Sequence, residues 1–288
     1  MNDIIKLMRP HQYVKNIFIF APLFFSFHFE DTNQIIITFI IFILFSLLAS
    51  GVYVFNDLMD IKEDRAHPTK KNRPLASGNI SVSKAKFLFL FLTSISLVGS
   101  FFISLNLFYV LAAYFILNIS YSIKLKHISI VDIFMIATGF VLRLFAGSVA
   151  TDIALSMWII IITFLLAIFL ALAKRRDDVL LSMTGAKTRK NIDGYNLEFV
   201  NATMSIMSGV VVVSYILYTV SSEVIARVHT EYLFLTSFFV LLGIFRYMQI
   251  TFVEQKSGSP SKIILTDIFL QTTLILWVIS FIFKVKMA

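Results

Sequence analysis

The sequence predicts an all-α, polytopic membrane protein, and three observations carry that reading. Of its 288 residues, 58% are apolar and only 15% are charged, with 31 Phe among them, and the mean hydropathy is +0.85. One soluble core cannot hide that much apolar surface, so lipid must take part of it. The apolar residues gather into nine stretches, at residues 16–32, 34–55, 85–104, 107–120, 128–150, 155–173, 203–220, 231–253 and 263–284, with ends placed to within ~2 to 4 residues. Finally, 20 of the 25 Lys and Arg residues fall at the amino terminus and in the loops after the even-numbered stretches, counting Lys86 at the edge of the third stretch with the loop before it. Only Arg227, Lys284 and Lys286 lie in the odd-numbered loops or at the carboxyl end, and Arg143 and Arg246 lie within stretches.

Taken in order, the first stretch follows MNDIIKLMRPHQYVKN, which has no uninterrupted apolar core with a small-residue cleavage site, so it is expected to remain as an anchor. The second ends in a run of polar side chains, and Ser81 or Ser83 is placed to cap the third. Several later stretches are short or carry a Gly, which favours tilt or kinking. The basic asymmetry orients the whole: amino terminus and even-numbered loops in the cytoplasm, carboxyl terminus outside, a multi-pass protein of the cytoplasmic (inner) membrane. The two long loops, about 57–84 and 174–202, follow even-numbered spans four helices apart. This spacing hints at a duplicated four-helix unit whose loops face one cavity, the chain being one integral-membrane domain over 1–288. No cysteine is present, which excludes disulfides and thiolate metal sites. The net charge of +8 is accounted for by the positive-inside bias, so nucleic acid is not an expected partner.

The chemistry concentrates where the second stretch ends. Asn56, Asp60 and Asp64 are successive i, i+4 neighbours on a helix, Asp57 precedes Asp60 by three, and Tyr53 lies one turn upstream. Carboxylates so close repel one another unless a cation sits between them, so Asn56, Asp57, Asp60 and Asp64 are candidate ligands for a divalent ion such as Mg²⁺. Lys70, Lys71 and Arg73 follow on the same loop as candidate phosphate contacts. Lys15 and Lys126, the latter beside Tyr121, could hold a phosphate at membrane depth. Arg143 lies inside an apolar span, where an unpaired charge costs ~2.5 to 3.5 kcal/mol on insertion scales, so it is expected to face a polar cavity or a carboxylate such as Asp132. The simpler alternatives are a solvated helix end paired with Lys62 and Arg65, ordinary positive-inside charge at Lys70 to Arg73, and a stop signal at Lys174, Arg175 and Arg176. His67 reads as a loop residue before Pro68.

The string NDLMDIKEDRAHPTKKNRPLASG (Asn56 to Gly78) resembles the first aspartate motif, NDxxDxxxD, of the UbiA superfamily of intramembrane prenyltransferases. RPHQYVKN (Arg9 to Asn16), YSIKLKH (Tyr121 to His127) followed by Asp132, GFVLRLFAG (Gly139 to Gly147) and AKRRDD (Ala173 to Asp178) narrow the resemblance to its decaprenyl-phosphate phosphoribosyltransferase branch. The resemblance implies a nine-helix bundle around a central cavity open to the cytoplasm and to lipid. It also implies a Mg²⁺-dependent transfer of 5-phosphoribose from 5-phosphoribosyl 1-diphosphate to a polyprenyl, decaprenyl-like phosphate, serving cell-envelope synthesis, and it suggests a trimer. Asp57, Asp60, Asp64 and Asp178 become the catalytic carboxylates. Lys15, Tyr53, Lys70, Lys71, Arg73, Tyr121, Lys126, Arg143, Lys174 and Arg175 become the substrate contacts. The superfamily's second motif, DxxxD, is absent, because Leu181 and Ser182 stand four residues after Asp177 and Asp178. Lys174, Arg175 and Asp178 instead approximate the KRxxE-like segment of the branch. Two other readings stay open: a UbiA-type transferase moving a prenyl group to an aromatic or other small acceptor, and a lipid-phosphate carrier without chemistry.

Overall fold

The computed structural model describes residues 3–26, 31–66, 70–184, 190–256 and 258–286, and among these every regular element is helical. Residues 1–155 and 156–288 form two compact units. The first contains α1 (Asp3–Met8), α2 (Ala21–Phe25), α3 (Thr32–Met59), α4 (Ile61–Ala66), α5 (Val82–Ile103), α6 (Leu105–Ile123) and α7 (Val131–Thr151). The second contains α8 (Met157–Met183), α9 (Leu197–Val220), α10 (Ser222–Val228), α11 (Ser237–Phe252), α12 (Pro260–Thr266) and α13 (Ile268–Lys286). Among the described residues each unit holds four helices of sixteen residues or more.

Helix starts follow local chemistry. The Asp31 carboxylate accepts from the backbone N–H groups of Asn33 and Gln34 to open α3, and Ser81, Ser156 and Asn196 do the same for α5, α8 and α9. In the first unit α5 lies close along α3, because small residues line the seam. A Cβ on Gly51 would stand 2.6 Å from the Thr93 methyl, and the Ser96 hydroxyl donates to the Leu44 carbonyl at 2.7 Å. Such contacts replace hydrophobic burial as the adhesive between helices in lipid. In the second unit the buried Arg176 joins three helices, donating to Asn201 on α9 at 2.9 Å and to the Thr251 carbonyl on α11 at 2.7 Å.

Among the described residues, seven helices are long and apolar enough to cross a membrane, and eight if α12 and α13, bent by 81°, make one broken span. Eight of the nine expected stretches coincide with these elements. The first does not form one long helix: Pro10–Phe20 winds as a 3-10 helix and continues into the short α2. Pro22 removes a backbone donor there, and Asn16 turns a buried amide inward, so regular α-helix gives way. Residues 27–30 of that stretch, together with His67, Pro68, Lys187 and Arg189, lie outside the described residues.

Candidate active site

The carboxyl-terminal turns of α3 present Asn56, Asp57 and Asp60, and α4 adds Asp64. Asp57 and Asp64 are almost wholly buried. Three cations hold this acidic run together. Arg73 donates one Nη1 to both Asp57 Oδ1, at 3.0 Å, and Asp64 Oδ2, at 2.6 Å. Arg9 donates Nη2 to the same Asp57 oxygen. Lys126, buried at the turn after α6, pairs with Asp60 Oδ1, while Asn56 donates to Asp60 Oδ2 at 3.1 Å. Removing one member of such a buried set would strand a charge, at a cost of about 3 to 5 kcal/mol.

Arg73 is carried by a tight loop. Its carbonyl accepts from the Ser77 N–H at 2.8 Å, Leu75, Ala76 and Ile80 anchor the segment inside, and Gly78 supplies φ 85°, which side-chain-bearing residues rarely adopt. On the same loop Lys71 stays exposed and Lys70 is half-buried, while Arg73 reaches in to Asp57 and Asp64. Tyr53 lies one turn above Asp57 with the Arg9 guanidinium 5.3 Å from its ring centre. Tyr121 is half-buried near the end of α6.

A second cationic group lies against the same end of the unit. Arg143 is 4% exposed, yet its partners are neutral: Asn16 Oδ1 at 2.8 Å, the Gly139 carbonyl at 2.6 Å and the Tyr114 hydroxyl at 3.1 Å. Phe45, Tyr114 and Phe140 each place a ring about it, 5.0 to 5.2 Å from the guanidinium carbon. Asp132, the expected carboxylate partner, begins α7. Eleven residues at 1.5 Å per residue put it roughly 16 Å along the axis from Arg143, beyond the reach of an ion pair. Lys15, half-buried and within electrostatic reach of Arg143 and Arg9, has its ammonium pushed down to about 8, first by burial and then by those two charges. Two cations thus share an apolar setting, with no carboxylate bonded to Arg143 among the described residues, an arrangement that an anionic ligand would complete.

In the second unit, Arg175 is fully buried on α8 and donates to Asp178 Oδ2 at 2.5 Å one turn on, with Lys174 half-buried beside it. Arg176 serves the helix junction described above. The sequence reading missed Arg9, Asn16 and Tyr114. Only Arg9 and Asn16 carried a local signal, a cation before Pro10 and an amide opening an apolar stretch.

The donor set suits a magnesium ion. Asn56 and Asp60 offer hard oxygens one turn apart, and among the described residues no three acidic or imidazole side chains converge into a complete cage. Mg²⁺ characteristically takes one or two carboxylates and completes its shell with water and substrate phosphates, so an incomplete protein cage is the appropriate one.

This helical architecture, with an Asn and Asp cluster at the end of a membrane helix, defines an intramembrane transferase, and the chain belongs to the UbiA prenyltransferase family, whose sequence profile matches residues 17–272. It is 31% identical to a decaprenyl-phosphate phosphoribosyltransferase of Mycolicibacterium smegmatis, over 96% of this chain and 91% of that one. It is also 31% identical to the enzyme of the same name from Corynebacterium glutamicum, over 99% and 87%. Among solved structures, a UbiA homolog from Archaeoglobus fulgidus bound to DMAPP and Mg²⁺ superimposes with a TM-score of 0.71 at 18% identity, covering all of both chains.

Proposed function

We propose that this protein transfers 5-phosphoribose from 5-phosphoribosyl 1-diphosphate to a polyprenyl phosphate and releases diphosphate. The observation that carries the reading is the pairing of an Asn and Asp cluster, interleaved with Arg9, Arg73 and Lys126, with a separate Lys15 and Arg143 group among apolar helices. Two anionic substrates need two such places, one beside water and one beside lipid. The full-length likeness to decaprenyl-phosphate phosphoribosyltransferases supports the same substrates. Prenyl transfer would call for paired carboxylates on α8, where Leu181 and Ser182 stand instead.

In this reading Asn56 and Asp60 hold a Mg²⁺ ion, with Asp64 close by. When bound, the ion neutralises charge developing on the leaving diphosphate. Arg73 and Lys126, released from their carboxylates, hold phosphate oxygens, with Lys70 and Lys71 at the outer edge. Lys15 and Arg143 orient the lipid phosphate. One of its oxygens forms a bond to the anomeric carbon as the bond from that carbon to the diphosphate oxygen breaks, the electron pair leaving with diphosphate. A phosphate monoester is already largely ionised at neutral pH, so no protein base is required, and positioning supplies most of the rate. Nine spans, with the amino terminus and this site on the cytoplasmic face of the inner membrane, complete the reading.

The test is a transfer assay on purified protein with a panel of polyprenyl phosphates. Wild-type protein should release diphosphate only when lipid phosphate is present and should stop with EDTA. Asp60→Ala should lose at least about 100-fold in turnover while remaining folded, because it removes a carboxylate from both the ion and Lys126. EDTA-resistant, near-normal turnover by Asp60→Ala would defeat the metal assignment.

A further inference from the structure

We infer that Arg9 is a phosphate-binding residue and that Asp57 is its positioning residue, not a ligand of the metal. The inference deepens the reading above and rests on it for the identity of the anion. Its starting point is an unusual backbone: Arg9 is not glycine, yet it adopts φ 55° and ψ 56° between α1 and the following 3-10 helix. A left-handed conformation is disfavoured for a residue with a Cβ, and it persists only where the surroundings fix it.

The surroundings of Arg9 do so from both sides. The buried Ser50 hydroxyl on α3 donates to the Met8 carbonyl at 2.9 Å. With that proton committed, Tyr13 donates its own hydroxyl to Ser50 Oγ, at 2.7 Å. Leu7, fully buried, packs with Val54, Leu75 and Ile80. The chain on either side of Arg9 is thereby stapled to α3, and the residue between is turned toward Asp57.

Asp57 is 2% exposed, and a single oxygen, Oδ1, receives both Arg9 Nη2 and Arg73 Nη1. Two guanidinium groups converging on one oxygen lie closer together than like charges would choose, and the carboxylate is what brings them there. Shared between two guanidinium groups and closed off from water, Asp57 has little to offer a second cation, whereas Asp60 meets one cation, Lys126, and keeps 26% of its side chain exposed beside Asn56. Arg9 donates only one of its five N–H groups to protein among the described residues, and its side chain is 19% exposed. The rest of that fork, stacked over Tyr53, is shaped to receive a phosphate bidentately.

Inorganic diphosphate, titrated calorimetrically without metal into detergent-purified, monodisperse protein, tests the assignment. Arg9→Ala should weaken diphosphate binding ~10- to 100-fold, Arg9→Lys should recover part of the loss, and added guanidinium should restore binding to Arg9→Ala alone. Asp57→Asn should weaken it comparably, and the double variant no more than either single one, since both act through one group. Mn²⁺ binding measured by electron paramagnetic resonance should survive Asp57→Asn. Unchanged diphosphate affinity in Arg9→Ala, multiplicative losses in the double variant, or loss of Mn²⁺ binding in Asp57→Asn would each overturn the inference. Wild-type protein that binds diphosphate but never transfers ribose would instead defeat the substrate reading and leave the clamp standing.

Discussion

A lysine in apolar surroundings gives up its proton early, and Lys15 is placed to make substrate binding depend on pH. Its ammonium, at about 8 in the ligand-free protein, is charged below that value and neutral above it. A bound phosphate favours the charged form, so affinity for the lipid phosphate, already ionised at neutral pH, should be level from pH 7 to about 8 and fall as pH rises further, by up to about tenfold per unit. Lys15→Arg should flatten the profile, because a guanidinium stays charged throughout. A flat wild-type profile of KM for polyprenyl phosphate from pH 7 to 9.5 would show that Lys15 makes no such contact. At this scale the acidic half of the site was legible, since helical spacing alone puts Asn56, Asp60 and Asp64 in line. Arg73 and Lys126 were nominated too, but the carboxylate each would meet was not legible, nor was Arg9. Arg9 stands 48 residues from Asp57, Lys126 stands 66 from Asp60 and Asn16 stands 127 from Arg143, so only the folded chain pairs them. Of the two surroundings expected for Arg143, a polar cavity or a carboxylate such as Asp132, the fold supplies neutral polar partners in Asn16 and Tyr114.

Elements are held in register by a few close approaches, of which Gly147 on α7 is the tightest. A Cβ there would collide with the backbone carbonyl of Ile19, which cannot move as a flexible side chain could. Gly147→Ala should therefore push the 3-10 segment off α7, disturb Asn16 and Lys15 with it, and cost about 1 to 3 kcal/mol. A lowered melting temperature in detergent is the expected sign, and wild-type thermal stability would mean that the approach is looser. Hydropathy and capping residues made eight of nine expected stretches legible, Ser81 at the start of α5 included, although α8 runs on to Met183 and α9 begins at Leu197 because their polar ends continue the helices beyond the apolar run. The form of the first stretch, a 3-10 segment running into α2, was not legible, because hydropathy counts Pro22 and Asn16 as minor interruptions whereas backbone hydrogen bonding does not. The bend at Asp267 was equally hidden: Arg246 chelates that carboxylate, with Nη2 at 2.6 Å, Asp267 caps α13 through the Leu270 N–H, and Gln271 satisfies the Ile264 carbonyl.

For the whole molecule, the distribution of charge sets orientation and the chemistry sets what crosses between water and lipid. Reporter fusions after Lys84 and Lys190 should read cytoplasmic and one at Ala288 should read the far side, given nine spans and the basic bias. A cytoplasmic carboxyl terminus would leave an even number of spans and remove the anchor role of the first stretch. The most direct test of the proposed reaction follows two labels at once, with 5-phosphoribosyl 1-diphosphate carrying one in the ribose and another on the β-phosphate. Given polyprenyl phosphate and Mg²⁺, the ribose label should move into the lipid fraction while the β-phosphate label appears in free diphosphate in equal amount, because the lipid keeps its phosphate and the sugar loses its diphosphate. Ribose label that stays in water with every chain length tried, while a prenyl diphosphate loses its phosphates to the medium as its prenyl group reaches an aromatic acceptor, would contradict phosphoribosyl transfer.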